Sequence, residues 1–192
     1  MDDIRRYGDE LCLAIKKTID YQSKNIERSV EVLEDRLAKG GKILTCGNGG
    51  SAAEAAHLTG ELMIRLKPNN NRIAIPSVCL NSDSVLITAC VNDYGNERLF
   101  ARQVEGLGKE EDALVCFTTS GTSKNVVEAA KLAKERGMAV VSLIGLKGDS
   151  MSEYSDAVIK SQSNEVARIQ EVHQFLVHYI ADQLERKYNK KE

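Results

Sequence analysis

The chain has 192 residues, enough for one domain with a sizeable core, and 42% hydrophobic with 28% charged residues is the balance of a soluble globular protein. A net charge of −2 excludes the basic surface that nucleic acid or an anionic membrane calls for. No apolar run approaches the roughly 20 residues that span a bilayer, and the N-terminal stretch through Arg6 lacks an apolar signal core, so a cytoplasmic protein is expected.

The first expected element is a helical arm over residues 3–39, with a break near Ser23. Ile26, Val30, Leu33 and Leu37 recur at helical spacing and form one apolar stripe. Ile4, Leu11, Ile15 and Ile19 form another, with Tyr7 close to it. Gly40-Gly41 ends the helix. An arm of this kind has little core of its own, so it must pack on the domain or on another subunit.

The run Lys42–Cys46 predicts a strand, and Ser51–Leu66 a helix. Between them lies Gly47-Asn-Gly-Gly-Ser51. Its glycines permit positive φ and close approach of a ligand to the backbone. Free N–H groups at the helix start favour an anionic or polyhydroxyl ligand, and Ser51 adds a hydroxyl at the cap. The plainer reading is a tight turn with a serine cap. The loop has neither the Lys-Ser/Thr of a P-loop nor the spacing of a dinucleotide fingerprint.

A turn at Lys67–Asn71 leads to a short strand, Arg72–Ile75, limited by Pro76. Ser82 or Asp83 is expected to cap a helix through Ala89, Asn92–Gly95 to form a polar loop, and Leu99–Leu107 a helix. Ala113–Phe117 is a continuous apolar run, as in a strand buried on both faces. Thr118-Thr-Ser-Gly-Thr-Ser123 follows it and opens a helix over Asn125–Arg136. Five hydroxyls gather there where backbone N–H groups lack partners, a setting for a phosphate dianion. The competing reading is an over-capped helix start. Met138–Ile144 and Ala157–Ile159 are further strands, and Glu165–Lys187 is the last helix. Arg186, Lys187, Lys190 and Lys191 give it a basic, solvated end. Alternation of strands and helices predicts an α/β, doubly wound parallel sheet covered on both faces. Two polar loops at the carboxyl ends of such strands point to a phosphorylated small molecule.

His57 and Glu61 stand four apart and share a helix face. At about 100° per residue, Gln170 and His178 lie roughly 80° apart, while His173 lies about 140° from His178. Gln170 and His178 are thus able to point at one site, with His173 turned elsewhere. Imidazole and carboxylate suit zinc if these residues meet in space. Taken singly, each is as readily a satisfied histidine or a surface amide. The five cysteines, Cys12, Cys46, Cys79, Cys90 and Cys116, are scattered and are expected to be buried reduced thiols.

The order of Cys46-Gly-Asn-Gly-Gly-Ser51, His57 and Glu61, Asn92-Asp93, Thr119-Ser-Gly-Thr-Ser123, Ala167-Arg-Ile-Gln-Glu-Val-His173 and His178 resembles the phosphoheptose isomerases of the sugar isomerase (SIS) domain family. The resemblance covers nearly the whole chain. It implies a single SIS domain over 1–192, with an arm over 1–39 and a core over 40–192. It implies a five-stranded parallel sheet and a homotetramer with active sites built partly from neighbouring subunits. The implied activity is aldose–ketose isomerisation of sedoheptulose 7-phosphate to D-glycero-D-manno-heptose 7-phosphate, the first step toward activated heptose for surface polysaccharides. His57, Glu61, Gln170 and His178 match positions that can hold zinc, and Glu61 and His178 match those that move protons. Asn48, Gly49, Gly50, Glu61, Asn92, Asp93, Thr118, Thr119, Ser120, Ser123 and Gln170 match or adjoin the substrate-contacting positions, with Ser51 beside them at the first loop. Thr118 stands where serine is common and Thr122 where asparagine is common, and both keep a polar side chain. Two alternatives remain at this stage. One is a non-catalytic SIS protein that binds a replication initiator. The other is an isomerase of another phosphosugar.

Overall fold

The computed structural model describes residues 2–188. The first helix, α1 (Asp2–Ala38), is continuous through Ser23. The expected break is absent because the arm between Gly8 and Gly40 has neither glycine nor proline, and it is rich in Lys, Glu, Gln and Arg, which favour helix. Its second half packs as expected, with Ile26, Val30, Leu33 and Leu37 buried. Its first half is largely uncovered: Ile4, Tyr7 and Ile19 are exposed, and Ala14 and Thr18 are the residues turned inward. Thr18 accepts a bond from Gln162 N (2.9 Å), and Arg168 reaches up to donate to the Tyr7 carbonyl (2.7 Å) while stacking over its ring (3.7 Å).

The sheet consists of β1 (Ile43–Gly47), β2 (Ser77–Cys79), β3 (Ala113–Thr118), β4 (Ala139–Ile144) and β5 (Ala157–Lys160). All pairings are parallel and the order is β2-β1-β3-β4-β5. β1, β3 and β4 are buried along their whole length. Successive side chains alternate between two cores. Ile43, Val115, Phe117 and Leu143 face α1, α2 (Gly50–Met63) and α6 (Val166–Tyr188). Leu44, Leu114, Cys116 and Val140 face α3 (Ser84–Tyr94), α4 (Leu99–Leu107) and α5 (Lys124–Glu135). No described helix is long and apolar enough to cross a membrane. Four cysteines are buried and reduced as expected, but Cys12 is exposed on the arm. The neighbouring Cys116 thiol, with burial, pushes the Cys46 thiol well above its ordinary range.

Three boundaries differ from the sequence expectation. The segment Arg72–Ile75 is not a strand; the ladder starts one residue past Pro76, whose carbonyl accepts from Ile43 N (2.9 Å). α2 ends at Met63 rather than Leu66. α3 runs on to Tyr94, capped by Asp83 through Val85 N and Leu86 N, so Asn92 and Asp93 sit in its last turn rather than in a loop. Arg186 and Lys187 close α6, while Lys190 and Lys191 lie outside the described residues.

The first two differences share one cause. Arg72 is fully buried against Glu185 of α6 (3.0 Å) and donates to the Glu61 carbonyl at the end of α2 (2.7 Å). Glu185 also accepts from Leu66 N (2.6 Å) and from Asn70 Nδ2 (3.3 Å). This knot holds residues 66–72 off the sheet. Burial raises the Glu185 carboxyl, but the Leu66 N–H, the Asn70 amide and Arg72 together outweigh it and hold the group below its ordinary range. Its stabilisation is therefore complete above the ordinary carboxylate range and lost as pH falls through the lowered folded value. Glu185→Ala should cost about 3–5 kcal/mol, because it strands a buried guanidinium. Urea unfolding at neutral pH measures this, and the gap between variant and wild type should narrow on acidification.

Candidate active site

The first loop is built on β1. Gly49 takes φ 58°, which glycine alone adopts without strain, and caps α2 with its carbonyl, which accepts from Ala52 N (3.0 Å) and Ala53 N (3.3 Å). Ser51 therefore lies inside the helix, buried, and makes no cap bond. Gly50 faces the Gln170 side chain so closely that a Cβ would overlap the amide. The backbone is pinned from β2's side: Asn81 donates to Gly47 O (2.9 Å) and accepts from Gly47 N (3.2 Å). The Asn48 side chain exchanges two hydrogen bonds with Asn125 of α5 (2.8 and 2.9 Å).

The second loop follows β3. Thr118 Oγ1 lies 3.1 Å from Ser123 Oγ and 3.3 Å from Ser120 Oγ, and Ser120 and Ser123 are 3.4 Å apart. Three of the five expected hydroxyls thus converge, while Thr119 and Thr122 make no side-chain bond to this group. No side chain caps α5, so its first N–H groups remain for a ligand. Both loops lie at carboxyl ends of adjacent strands, β1 and β3, where the strand order reverses. That is the place where open α/β sheets bind ligands.

His57 and Glu61 of α2 meet His178 of α6. His57 Nε2 lies 3.0 Å from His178 Nε2 and 3.1 Å from Glu61 Oε1. Their ligand atoms all fall within 4.8 Å of one another. Glu61 is partly buried and both imidazoles are exposed, so the cluster is open to a substrate. The Gln170 amide lies against Gly50, and Gln174 Nε2 lies 3.3 Å from the His178 ring nitrogen. His173 is turned away as expected, fully buried, with Nδ1 3.3 Å from Glu54 Oε2. Asn92 and Asp93 are exposed and bond each other (2.8 Å) rather than either loop.

The signature of the SIS domain matches residues 6–145. Phosphoheptose isomerase of Helicobacter pylori strain P12 is 42% identical over 175 residues, which is 91% of this chain and 90% of that protein. The Leptospira biflexa phosphoheptose isomerase is 44% identical over 162 residues, 84% of this chain and 83% of that protein. The solved phosphoheptose isomerases of Neisseria gonorrhoeae and Francisella tularensis superpose with TM-scores of 0.89 and 0.90, at 34% and 33% identity, over 96% of this chain and 98% and 97% of theirs. The chain belongs to the phosphoheptose isomerases of the SIS domain family.

Within that family assignment, the donor set bears on a metal. Two imidazole nitrogens and a carboxylate oxygen converge, a combination that suits zinc. Zn–N bonds near 2.0–2.1 Å put tetrahedral ligand atoms roughly 3.3–3.4 Å apart, close to the spacing seen here. Three protein ligands also leave a position for substrate. Sequence reasoning had no grip on Asn81, Asn125 or Gln174. Only Gln174 carried a signal, since it precedes His178 by one helical turn. Purified protein should carry about one zinc per chain by elemental analysis, the occupancy a single site allows. His57→Ala and His178→Ala should each remove most of it without unfolding the chain.

Proposed function

We infer that this chain is an aldose–ketose isomerase that converts sedoheptulose 7-phosphate to D-glycero-D-manno-heptose 7-phosphate, the first step of activated heptose biosynthesis. The observation that carries the reading is the meeting of Glu61 and His178, from helices 117 positions apart in the chain (178 − 61), beside two ligand loops in a phosphoheptose isomerase fold. The rival reading, a non-catalytic SIS protein, gives no reason for a carboxylate and two imidazoles to be kept within bonding distance in an open cleft. The loops alone do not choose among phosphosugars. Identity above 40% to proteins named phosphoheptose isomerase, over most of the chain, favours the heptose.

The Thr118, Ser120 and Ser123 hydroxyls, with the start of α5, take the phosphate. Thr119 lines the same loop. The first loop, through Asn48, Gly49, Gly50 and Ser51, and Gln170 beside it, take the sugar hydroxyls, with Asn92 and Asp93 completing the contact. Glu61 removes a proton from C1 of the ketose while His178 gives one to the C2 carbonyl oxygen. The resulting enediol(ate) receives a proton from Glu61 at C2 and returns one from O1 to His178, leaving the aldehyde at C1. An imidazole is suited to this exchange because it can give or take a proton near neutral pH. Zinc held by His57, Glu61, Gln170 and His178 would act as a Lewis acid on the developing enediolate charge. Phosphorylated sugars and reduced thiols fit an enzyme of the cytoplasm.

The same reading includes a homotetramer with active sites completed by neighbouring subunits. Its support is the uncovered apolar surface at Ile4, Leu13 and Ile19 of α1, and at Ile64 and Val85, more than a monomer of this size keeps exposed without a partner. Light scattering at micromolar concentration should return a mass near four chains; a stable monomer would remove this part of the reading.

Glu61→Gln is nearly isosteric and removes the carbon base. It should fold and bind the phosphosugar, yet lower turnover by at least about 10²-fold, the low end for acid–base catalysis. Wild-type enzyme in heavy water should place deuterium at C2 of the aldose. A Glu61→Gln protein with the wild-type rate would end the proposed mechanism.

A further inference from the structure

The two ligand loops are joined by a contact that the chemistry above does not use. Asn48 belongs to the first loop and is exposed; Asn125 lies one residue inside α5 and is 2% exposed. Their side chains form a closed amide pair, Asn48 Nδ2 to Asn125 Oδ1 at 2.8 Å and Asn125 Nδ2 to Asn48 Oδ1 at 2.9 Å. Each amide uses one N–H and one oxygen lone pair in the ring and keeps one of each free. On Asn125 these are sealed in the protein. Asn48 itself is exposed.

The loop backbone needs no help from this pair. Asn81 already holds Gly47 by both its N–H and its carbonyl, and Gly49 O and Asn48 O accept the first bonds of α2. What remains free to rotate is the Asn48 side chain. A lone exposed asparagine could present either its oxygen or its nitrogen to a ligand. The Asn125 partner couples that choice to its own amide, because turning Asn48 over alone would set oxygen against oxygen and nitrogen against nitrogen, and the two bonds hold the Asn48 side chain in one rotamer.

We propose that Asn125 is a positioning residue for the isomerisation: it holds the Asn48 side chain in place toward the sugar, and so ties the sugar-binding loop to the helix that starts at the phosphate-binding loop. Asn125 touches no substrate in this scheme; it acts through Asn48. The inference rests on the proposed reaction for its functional consequence, and on the amide ring alone for its structural one.

Two readouts separate these. The crystal structure of Asn125→Ala should show the Asn48 side chain displaced or split between rotamers, with Gly47 and the loop backbone in place. In the isomerase assay, Asn125→Ala should raise KM for sedoheptulose 7-phosphate about tenfold and leave kcat within about twofold, as expected for a lost binding contact. Asn48→Ala should do the same. The double variant should be no worse than Asn48→Ala alone, because the two act as one unit. If Asn125→Ala does not fold, the isosteric Asn125→Asp serves in both experiments, since its carboxylate cannot donate to Asn48 Oδ1. An Asn48 side chain that stays in place in the variant overturns the inference whatever the reaction. A double variant whose loss is the product of the two singles overturns it as well. A displaced Asn48 in a protein that does not isomerise the ketose would uphold the lock and reject the proposed reaction instead.

Discussion

The site depends on where the strand order reverses. From β1 the chain crosses to β2 on one side, and its next strand, β3, pairs on the other side of β1. Connections that leave two adjacent parallel strands in opposite directions cannot cover the gap between them. The loops after β1 and β3 therefore flank an open crevice. Each feeds a helix, and no side chain caps the one that follows β3. The full burial of β1 and β3, with Phe117 and Leu44 among the largest enclosed side chains, keeps those loop ends in register.

A second constraint brings chemistry to that crevice. α2 leaves the first loop, and α6, from the far end of the chain, lies against it. Two buried polar contacts set their relation. Glu54 meets His173 near the start of α2, and Arg72 with Glu185 closes its end while gripping the carbonyl of Glu61. Buried polar contacts are geometrically demanding, because an unpaired polar or charged group in the interior is costly. Between these two clamps the exposed faces of the helices present His57, Glu61 and His178. The side chains that would react are accessible, and the ones that hold the helices are sealed.

The arm shows the opposite situation. Its second half is core, but its first half is largely uncovered and is held by few contacts, chiefly Arg168 under Tyr7 and Thr18 against Gln162. Arg168 sits two residues before Gln170, so the anchor of the arm and the floor of the first loop share one turn of α6.

Local sequence was enough for the elements and for both loops. The continuous apolar runs at Ile43–Cys46, Ala113–Phe117 and Ala139–Ile144, and the glycine and hydroxyl clusters after the first two, carry short-range signals: periodicity, turn chemistry and helix starts. The pairing of His57 with Glu61 was legible for the same reason, since both lie on one helix. Failures came where a distant partner outweighed local preference. Arg72–Ile75 reads as strand until Glu185, 113 residues away, takes the Arg72 side chain. Asn92 reads as loop until the Asp83 cap and Gly95 set the length of α3. The approach of His178 to His57 and the Asn48–Asn125 ring join residues with no sequence relation. Sequence by itself determined which groups this protein has and what local backbone carries them. Only the tertiary structure decided which of them meet, because packing between helices and the crossing order of strands are set by the whole core and leave no trace in any one segment.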